Sequence, residues 1–263
     1  MSVTHTFGPV RLEQSDPLAV MTFDSPPLNL FDQAMMDGFT QAAAALAAEP
    51  PRGLLIRAEG KVVSGGVDVH VFEGLTPEQG AAMWDALFVP LQQIEDLPCP
   101  TIFAAQGLCL TAAFEISLAC DLLVASEKAR FGLVEIVVGL TPSMGGPQRL
   151  AERAGPARAR ELIYTGELYD AATLASWNVV NRVLPADGFD EAARSFAMRI
   201  AGGPTKAHHA TKQLVRAGVR QDPRAADALV GEISGPLFAT EDLRNAVRSF
   251  LTDGPGKATF QGR

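Results

Sequence analysis

Thr101-Ile-Phe-Ala-Ala-Gln-Gly-Leu-Cys-Leu-Thr-Ala-Ala-Phe-Glu-Ile-Ser-Leu-Ala-Cys-Asp-Leu-Leu-Val-Ala125 holds an apolar run, a glycine turn, a stretch of small helix formers and a second apolar run. The runs over 101–105 and 121–125 predict short buried strands, and the segment between them predicts a short helix starting near Ala112. Strand, helix, strand at this spacing is the pattern of a right-handed β-α-β crossover.

The same alternation extends outward. Val10/Leu12 and Leu18/Val20/Phe23 predict two strands within 9–24, around the Asp16-Pro17 turn. An alanine-rich helix follows over 32–48, stopped by Pro50-Pro51, and then a buried strand over 53–57. Residues 77–97 predict a helix carrying Met83, Trp84, Leu87 and Phe88, with a kink at Pro90. Beyond Val183-Leu184 only helical signals remain, near 189–202, 205–219 and 222–251. No linker or repeat interrupts the chain, which predicts one α/β body with a helical C-terminal region.

With 263 residues, 47% of them hydrophobic and 20% charged, the chain can build a sizeable core. Its net charge of −8 argues against non-specific nucleic-acid binding and against an anionic-membrane footprint. Gln106, Glu115 and Asp121 interrupt the most apolar stretch, which falls short of a membrane span. Residues 1–7 lack a secretory pattern, so a cytoplasmic location is expected. Cys99, Cys109 and Cys120 fit neither a disulfide framework nor a zinc spacing and read as reduced core residues.

Three glycine-containing turns could carry chemistry. In Val63-Ser-Gly-Gly-Val-Asp68 the adjacent glycines let backbone approach a ligand, although a tight turn alone explains them too. Gln106–Glu115 places small residues at a helix start, where free amides favour an anion; helix–sheet packing is the plainer explanation. Gly139–Pro147 ends on a proline suited to the first turn of another helix. Carboxylates discriminate better. Glu115 and Glu135 each lie inside an apolar run, where desolvation raises a carboxyl pKa towards the range useful for proton transfer. One such residue suggests a satisfied buried hydrogen bond, whereas two beside an anion-stabilising turn suggest catalysis.

Those residues resemble the crotonase superfamily of enoyl-CoA hydratases and isomerases. The likeness runs through Leu28-Asn-Leu30, Lys61–Val69, Pro100–Asp121, Phe131–Ile136, Pro142–Arg149 and Thr165-Gly-Glu167. It implies a Clp/crotonase-type α/β spiral of β-β-α units over 1–185, followed by a helical region over 186–263 that serves oligomerisation and completes the active site. It also implies an oxyanion hole formed by the Val67 and Ala112 amides, with Glu115 and Glu135 flanking the reacting carbons of an acyl-CoA thioester. An enolate needs two amide donors more than it needs a nucleophile. Gly65, Gly66, Asp68, Val69, Leu140, Pro142 and Ser143 are implied to line the thioester site, Trp84 and Phe88 to floor the acyl pocket, and Phe250 and Lys257 to reach a neighbour's CoA. No metal or redox cofactor is implied, and the assembly is expected to be a trimer or a dimer of trimers.

The chain departs from the family pattern at named positions. Thr111-Ala112-Ala113 stands for three glycines, which crowds the thioester; Gln106 stands for Asn, Val134 for Pro and Ser143 for Gly, and Pro27 occupies the place of a basic residue. Competing readings are a serine hydrolase, for which Ser64 and Ser143 lack a Gly-x-Ser-x-Gly setting, and a metal site at His208-His209, whose adjacent side chains diverge on a helix and read as a solvated face. A Δ3-Δ2-enoyl-CoA isomerase and a non-catalytic acyl-CoA-binding protein remain alternatives.

Overall fold

The computed structural model describes residues 2–263. In chain order it forms β1 (Val3–Phe7), β2 (Val10–Gln14), β3 (Leu18–Phe23), α1 (Gln33–Ala48), β4 (Gly53–Ala58), α2 (Pro77–Glu95), β5 (Thr101–Ala105), β6 (Leu108–Leu110) and α3 (Thr111–Ala119). Then follow β7 (Leu122–Ser126), β8 (Arg130–Gly132), α4 (Gly146–Ala154), α5 (Pro156–Thr165), β9 (Tyr169–Asp170), α6 (Ala171–Ser176) and β10 (Arg182–Leu184). The C-terminal helices are α7 (Phe189–Ala201), α8 (Thr205–Arg220), α9 (Pro223–Asp227), α10 (Val230–Ser234) and α11 (Glu241–Asp253).

The larger sheet has the order β1-β2-β3-β4-β5-β7-β10, antiparallel from β1 to β3 and parallel from β3 onward. Its strands alternate between two buried faces. Leu18, Val20, Leu55, Ile102, Ala104 and Val124 pack under α7 against Phe189, Ala193 and Ala197. Met21, Phe23, Leu54, Ile56, Phe103 and Leu123 point the other way, into the main core with Met35, Phe39, Leu91 and Phe114. Helices on both faces are the condition under which parallel strands are stable, so the continuous apolar runs are accounted for. The smaller sheet, β6-β8-β9, lies beside the 63–68 turn through a bridge from Ser64 to Cys109. This two-sheet α/β architecture is the expected crotonase-type fold.

The structure corrects some of the sequence reading. The expected helix near 222–251 is broken into α9, α10, a 3-10 turn over 235–239 and α11, since Gly235-Pro236 interrupts it and the Thr240 side chain, accepting from the Leu243 amide, starts a new helix. α2 runs through Pro90 as one element; the carbonyl that Pro90 deprives of a donor belongs to exposed Ala86, where water can serve it. The strands β6, β8 and β9 are two or three residues long, too short to show a period. All three cysteines are buried and free, and burial pushes their thiols well above the ordinary value. No described helix is long and apolar enough to cross a membrane.

Candidate active site

The first turn is held on both sides by backbone. Gly65 N–H donates to the Leu28 carbonyl, Phe31 N–H to the Gly66 carbonyl, and Val63 and Ser64 N–H both to the Leu108 carbonyl. One buried side chain, Asn29, ties this layer together: its amide donates to the carbonyls of Glu59 and Val62, both at 2.9 Å, while its oxygen accepts from Ser25 N–H at 2.7 Å. The Ser64 hydroxyl donates to the Asn29 carbonyl at 2.8 Å and accepts from Gly66 N–H at 3.0 Å. Ser64 is therefore a loop staple, as the absence of a hydrolase setting suggested. Gly66, at φ +108°, adopts a backbone that side chains rarely enter, and a Cβ there would stand 3.0 Å from Thr111 Oγ1. The Val67 amide that follows points at the start of α3 and donates to Thr111 Oγ1 at 3.0 Å.

At that start Thr111 itself has φ +48°, outside the usual range for a β-branched residue. Ala112 is the second residue of α3, so its amide is one of the four that an α-helix leaves without an intrahelical partner. Every residue of α3 is buried, and Glu115, three residues after Ala112, comes with it. Glu115 Oε1 accepts from Met144 N–H at 2.9 Å and Gly146 N–H at 2.8 Å. Burial outweighs those bonds and pushes the carboxyl up to about 7. Gly146 has to be small, because a Cβ would lie 2.9 Å from Glu115 Oε1 and 3.1 Å from Leu133 Cδ1.

Glu135 opens a 3-10 turn over Glu135–Val138 that ends in left-handed Gly139. Its Oε2 is buried and has no hydrogen-bond partner. Burial pushes its carboxyl up to about 8, and the negative charge of Glu115 adds to the shift. The two acids thus lie close enough to feel each other's charge, and both are raised towards the range useful for proton transfer at neutral pH.

The model of the enoyl-CoA hydratase/isomerase family matches residues 13–262. The chain belongs to that family. A protein named probable enoyl-CoA hydratase echA8 from Mycobacterium bovis is 30% identical over 248 residues, covering 94% of this chain and 96% of its own length. A crotonyl-CoA hydratase of Syntrophomonas wolfei is 27% identical, covering 92% and 94% respectively. Among solved structures, an enoyl-CoA hydratase subunit from Geobacillus kaustophilus superposes with a TM-score of 0.89 at 28% identity, covering 98% of this chain and all of that one.

The remaining candidate residues of this family member divide into those near the glutamates and those that stand apart. The ring of Phe88 comes within 3.4 Å of where a Gly145 Cβ would be, which places it beside the turn that holds Glu115. Trp84 is half-buried and packs on Phe72 with ring centroids 5.7 Å apart, in the 3-10 turn that follows Asp68. Asp68 caps that turn at the His70 amide and bonds the His70 ring at 2.7 Å; this ring bond holds the carboxyl below its ordinary value. Val69 next to it is exposed. Leu140 N–H donates to the Glu135 carbonyl, Pro142 is buried, and the Ser143 hydroxyl donates to the Thr141 carbonyl at 2.9 Å.

Two expectations change. The run after Glu135 turns outward, leaving Ile136, Val137 and Val138 exposed, Val137 by 74%; only Phe131 and Leu133 of the flanking apolar residues are core. In the single chain Phe250 is 60% exposed and Lys257 is exposed. His208 and His209 do not form a solvated face: each is half-buried with an unpartnered Nδ1, and burial lowers both pKa values. His208 lines a cavity of about 490 Å³ between α8 and the C-terminal end of α3, which contains neither glutamate. Several of its charged walls are already paired, Arg149 with Glu95, Lys212 with Asp121 and Arg216 with Asp96. Two residues acquire new roles from the structure, Asn29 as the anchor of the first turn and Thr111 as the partner of the Val67 amide. Their roles depend on contacts 30 to 44 residues away, which no local pattern encodes.

Proposed function

We propose that this protein adds water across the 2,3 double bond of a 2-enoyl-CoA thioester. The observation that carries the reading is buried Glu115, one turn of α3 after the Ala112 amide and raised to about 7, together with half-buried Glu135, raised to about 8 partly by the charge of Glu115. Glu115, ionised, takes a proton from water as the water oxygen bonds to C3. The π electrons move towards C2 and the thioester carbonyl, whose oxygen receives hydrogen bonds from Val67 and Ala112 N–H. Glu135, protonated, then delivers its proton to C2, and exchange with solvent resets both acids; the same pair would serve with the two roles reversed or shared. The reading needs no metal or redox cofactor, since CoA is part of the substrate. It places the enzyme in fatty-acid-type metabolism in the cytoplasm, with no role for nucleic acid or membrane.

A panel of saturated, 2-enoyl, 3-enoyl and β-keto acyl-CoAs read by mass spectrometry tests the assignment. The expected product is a hydroxyacyl-CoA one water heavier than the 2-enoyl substrate. Conversion of the 3-enoyl substrate with no change in mass, and nothing from the 2-enoyl one, would favour the isomerase instead. Binding without any product would favour the acyl-CoA-binding alternative.

The half-buried ring of Trp84 and the Phe88 ring would limit the acyl group. Trp84→Ala is expected to raise kcat/KM for longer enoyl chains relative to crotonyl-CoA. Being half-buried, it should destabilise by less than the ~3–5 kcal/mol typical of a buried tryptophan truncation. Kinetics across chain lengths, with a melting curve for each protein, would show the tryptophan to be only core if stability falls without a change in preference.

The C-terminal helices expose Phe238, Phe250 and Leu251 by 78%, 60% and 77% in the single chain. Such a surface suits burial against another copy. Light scattering at micromolar concentration is expected to give the mass of a trimer or a dimer of trimers, and a monomer would refute the assembly.

A further inference from the structure

The Val67 amide is already occupied. Its N–H donates to Thr111 Oγ1 at 3.0 Å, and one N–H directs one strong hydrogen bond at a time. Any thioester oxygen that is to accept from Val67 has to displace this hydroxyl. The position is maintained at a conformational disadvantage, since Thr111 is β-branched and sits at φ +48°, and such strain persists where surrounding structure fixes it, often at functional sites. The side chain rests on Gly66, where a Cβ would meet Oγ1 at 3.0 Å and Cγ2 at 3.3 Å. A side chain on Gly66 would therefore press on both γ atoms of the threonine.

We propose that Thr111 is a latch: its hydroxyl closes the Val67 donor in the free protein and swings away when an acyl-thioester oxygen takes its place. The inference rests on the acyl-CoA reading of the site. A neutral thioester carbonyl competes with the hydroxyl on nearly equal terms, whereas an enolate oxygen accepts about twice as strongly, so the latch yields most readily to the charge that develops during reaction. Thr111 is thus a specificity-determining residue that weakens the binding of unreactive thioesters.

Thr111→Ala and Thr111→Ser isolate the hydroxyl, because both keep the left-handed backbone and both lose the γ-methyl. Hydrogen exchange at the Val67 amide is expected to be faster in the alanine variant than in the serine variant. Affinity for butyryl-CoA, measured by titration calorimetry, should be roughly three- to tenfold tighter in alanine than in serine, the range of one net hydrogen bond. Thr111→Gly, which also relieves the backbone, should shift both readouts in the alanine direction and guards against a misfolded alanine protein. Equal exchange and equal affinity in the alanine and serine variants, or weaker binding by alanine, would overturn the latch. Faster Val67 exchange in alanine with no acyl-CoA binding by any of these proteins or the wild type would overturn the acyl-CoA reading, and with it the latch as a device for that ligand.

Discussion

Replacing either Glu115 or Glu135 by glutamine is expected to lower kcat for crotonyl-CoA hydration by about 10²–10⁴-fold while leaving acyl-CoA affinity nearly unchanged, because proton-transfer groups act mainly in the transition state. Glutamine keeps the shape of Glu115 and an oxygen able to accept from Met144 and Gly146 N–H, so the loss would report chemistry rather than collapse of the turn. Steady-state rates for Glu115→Gln and Glu135→Gln, with calorimetric affinities for butyryl-CoA, make the measurement. Unchanged turnover in both variants would end the hydratase assignment, and turnover retained only by Glu115→Gln would favour a one-glutamate isomerase.

The same variants carry a stability signature. The two carboxyls rise from 4.5 to about 7 and about 8 on folding, so between those values the folded protein holds protons that the unfolded chain has released. Stability from these groups is complete below pH 4.5 and is lost as pH rises through 7 and 8. Glutamine has no proton to lose. The Tm of each variant should therefore gain on the wild type as pH increases across that window, and a gap independent of pH would contradict the raised values.

Asn29→Ala is expected to destabilise the protein by about 2–4 kcal/mol, lowering Tm by roughly 5–15 °C. The change strands the carbonyls of Glu59 and Val62 and the Ser25 amide, and it leaves a residue at φ +46° without the asparagine side chain that favours this backbone. Asn29→Asp should be at least as damaging despite its matching shape, since it sets a carboxylate oxygen against two carbonyl oxygens. Because the 28–31 segment bonds Gly65 and Gly66, kcat/KM should fall together with stability, through displacement of the Val67 amide. Thermal melts and crotonyl-CoA kinetics on both variants suffice; a melting temperature within a degree or two of wild type would show that Asn29 is not the anchor.

What the sequence reveals and what it hides follow from the range of the interactions. Strands such as 101–105 are buried on both faces and announce themselves as unbroken apolar runs, and helix α1 shows its period over sixteen residues. Glu115 and Glu135 are legible because a charge in an apolar run is anomalous on its own. Ile136, Val137 and Val138 mislead for the complementary reason: an apolar residue turned outward has the same letter as one in the core. The contacts of Asn29 and Thr111 are silent in sequence, which shows Asn29 only within a family-like motif and Thr111 only as a departure from glycine. The first binds carbonyls 30 and 33 residues away, and the second satisfies an amide 44 residues back by adopting a backbone normally left to glycine.

The most direct test of the central claim, that this site adds water to an enoyl thioester, is isotopic. Crotonyl-CoA incubated with the protein in ¹⁸O-water, and separately in deuterium oxide, is expected to give 3-hydroxybutyryl-CoA with the heavy oxygen at C3 and one deuterium at C2, both located by tandem mass spectrometry. Crotonyl-CoA that binds stoichiometrically and returns unlabelled would contradict it.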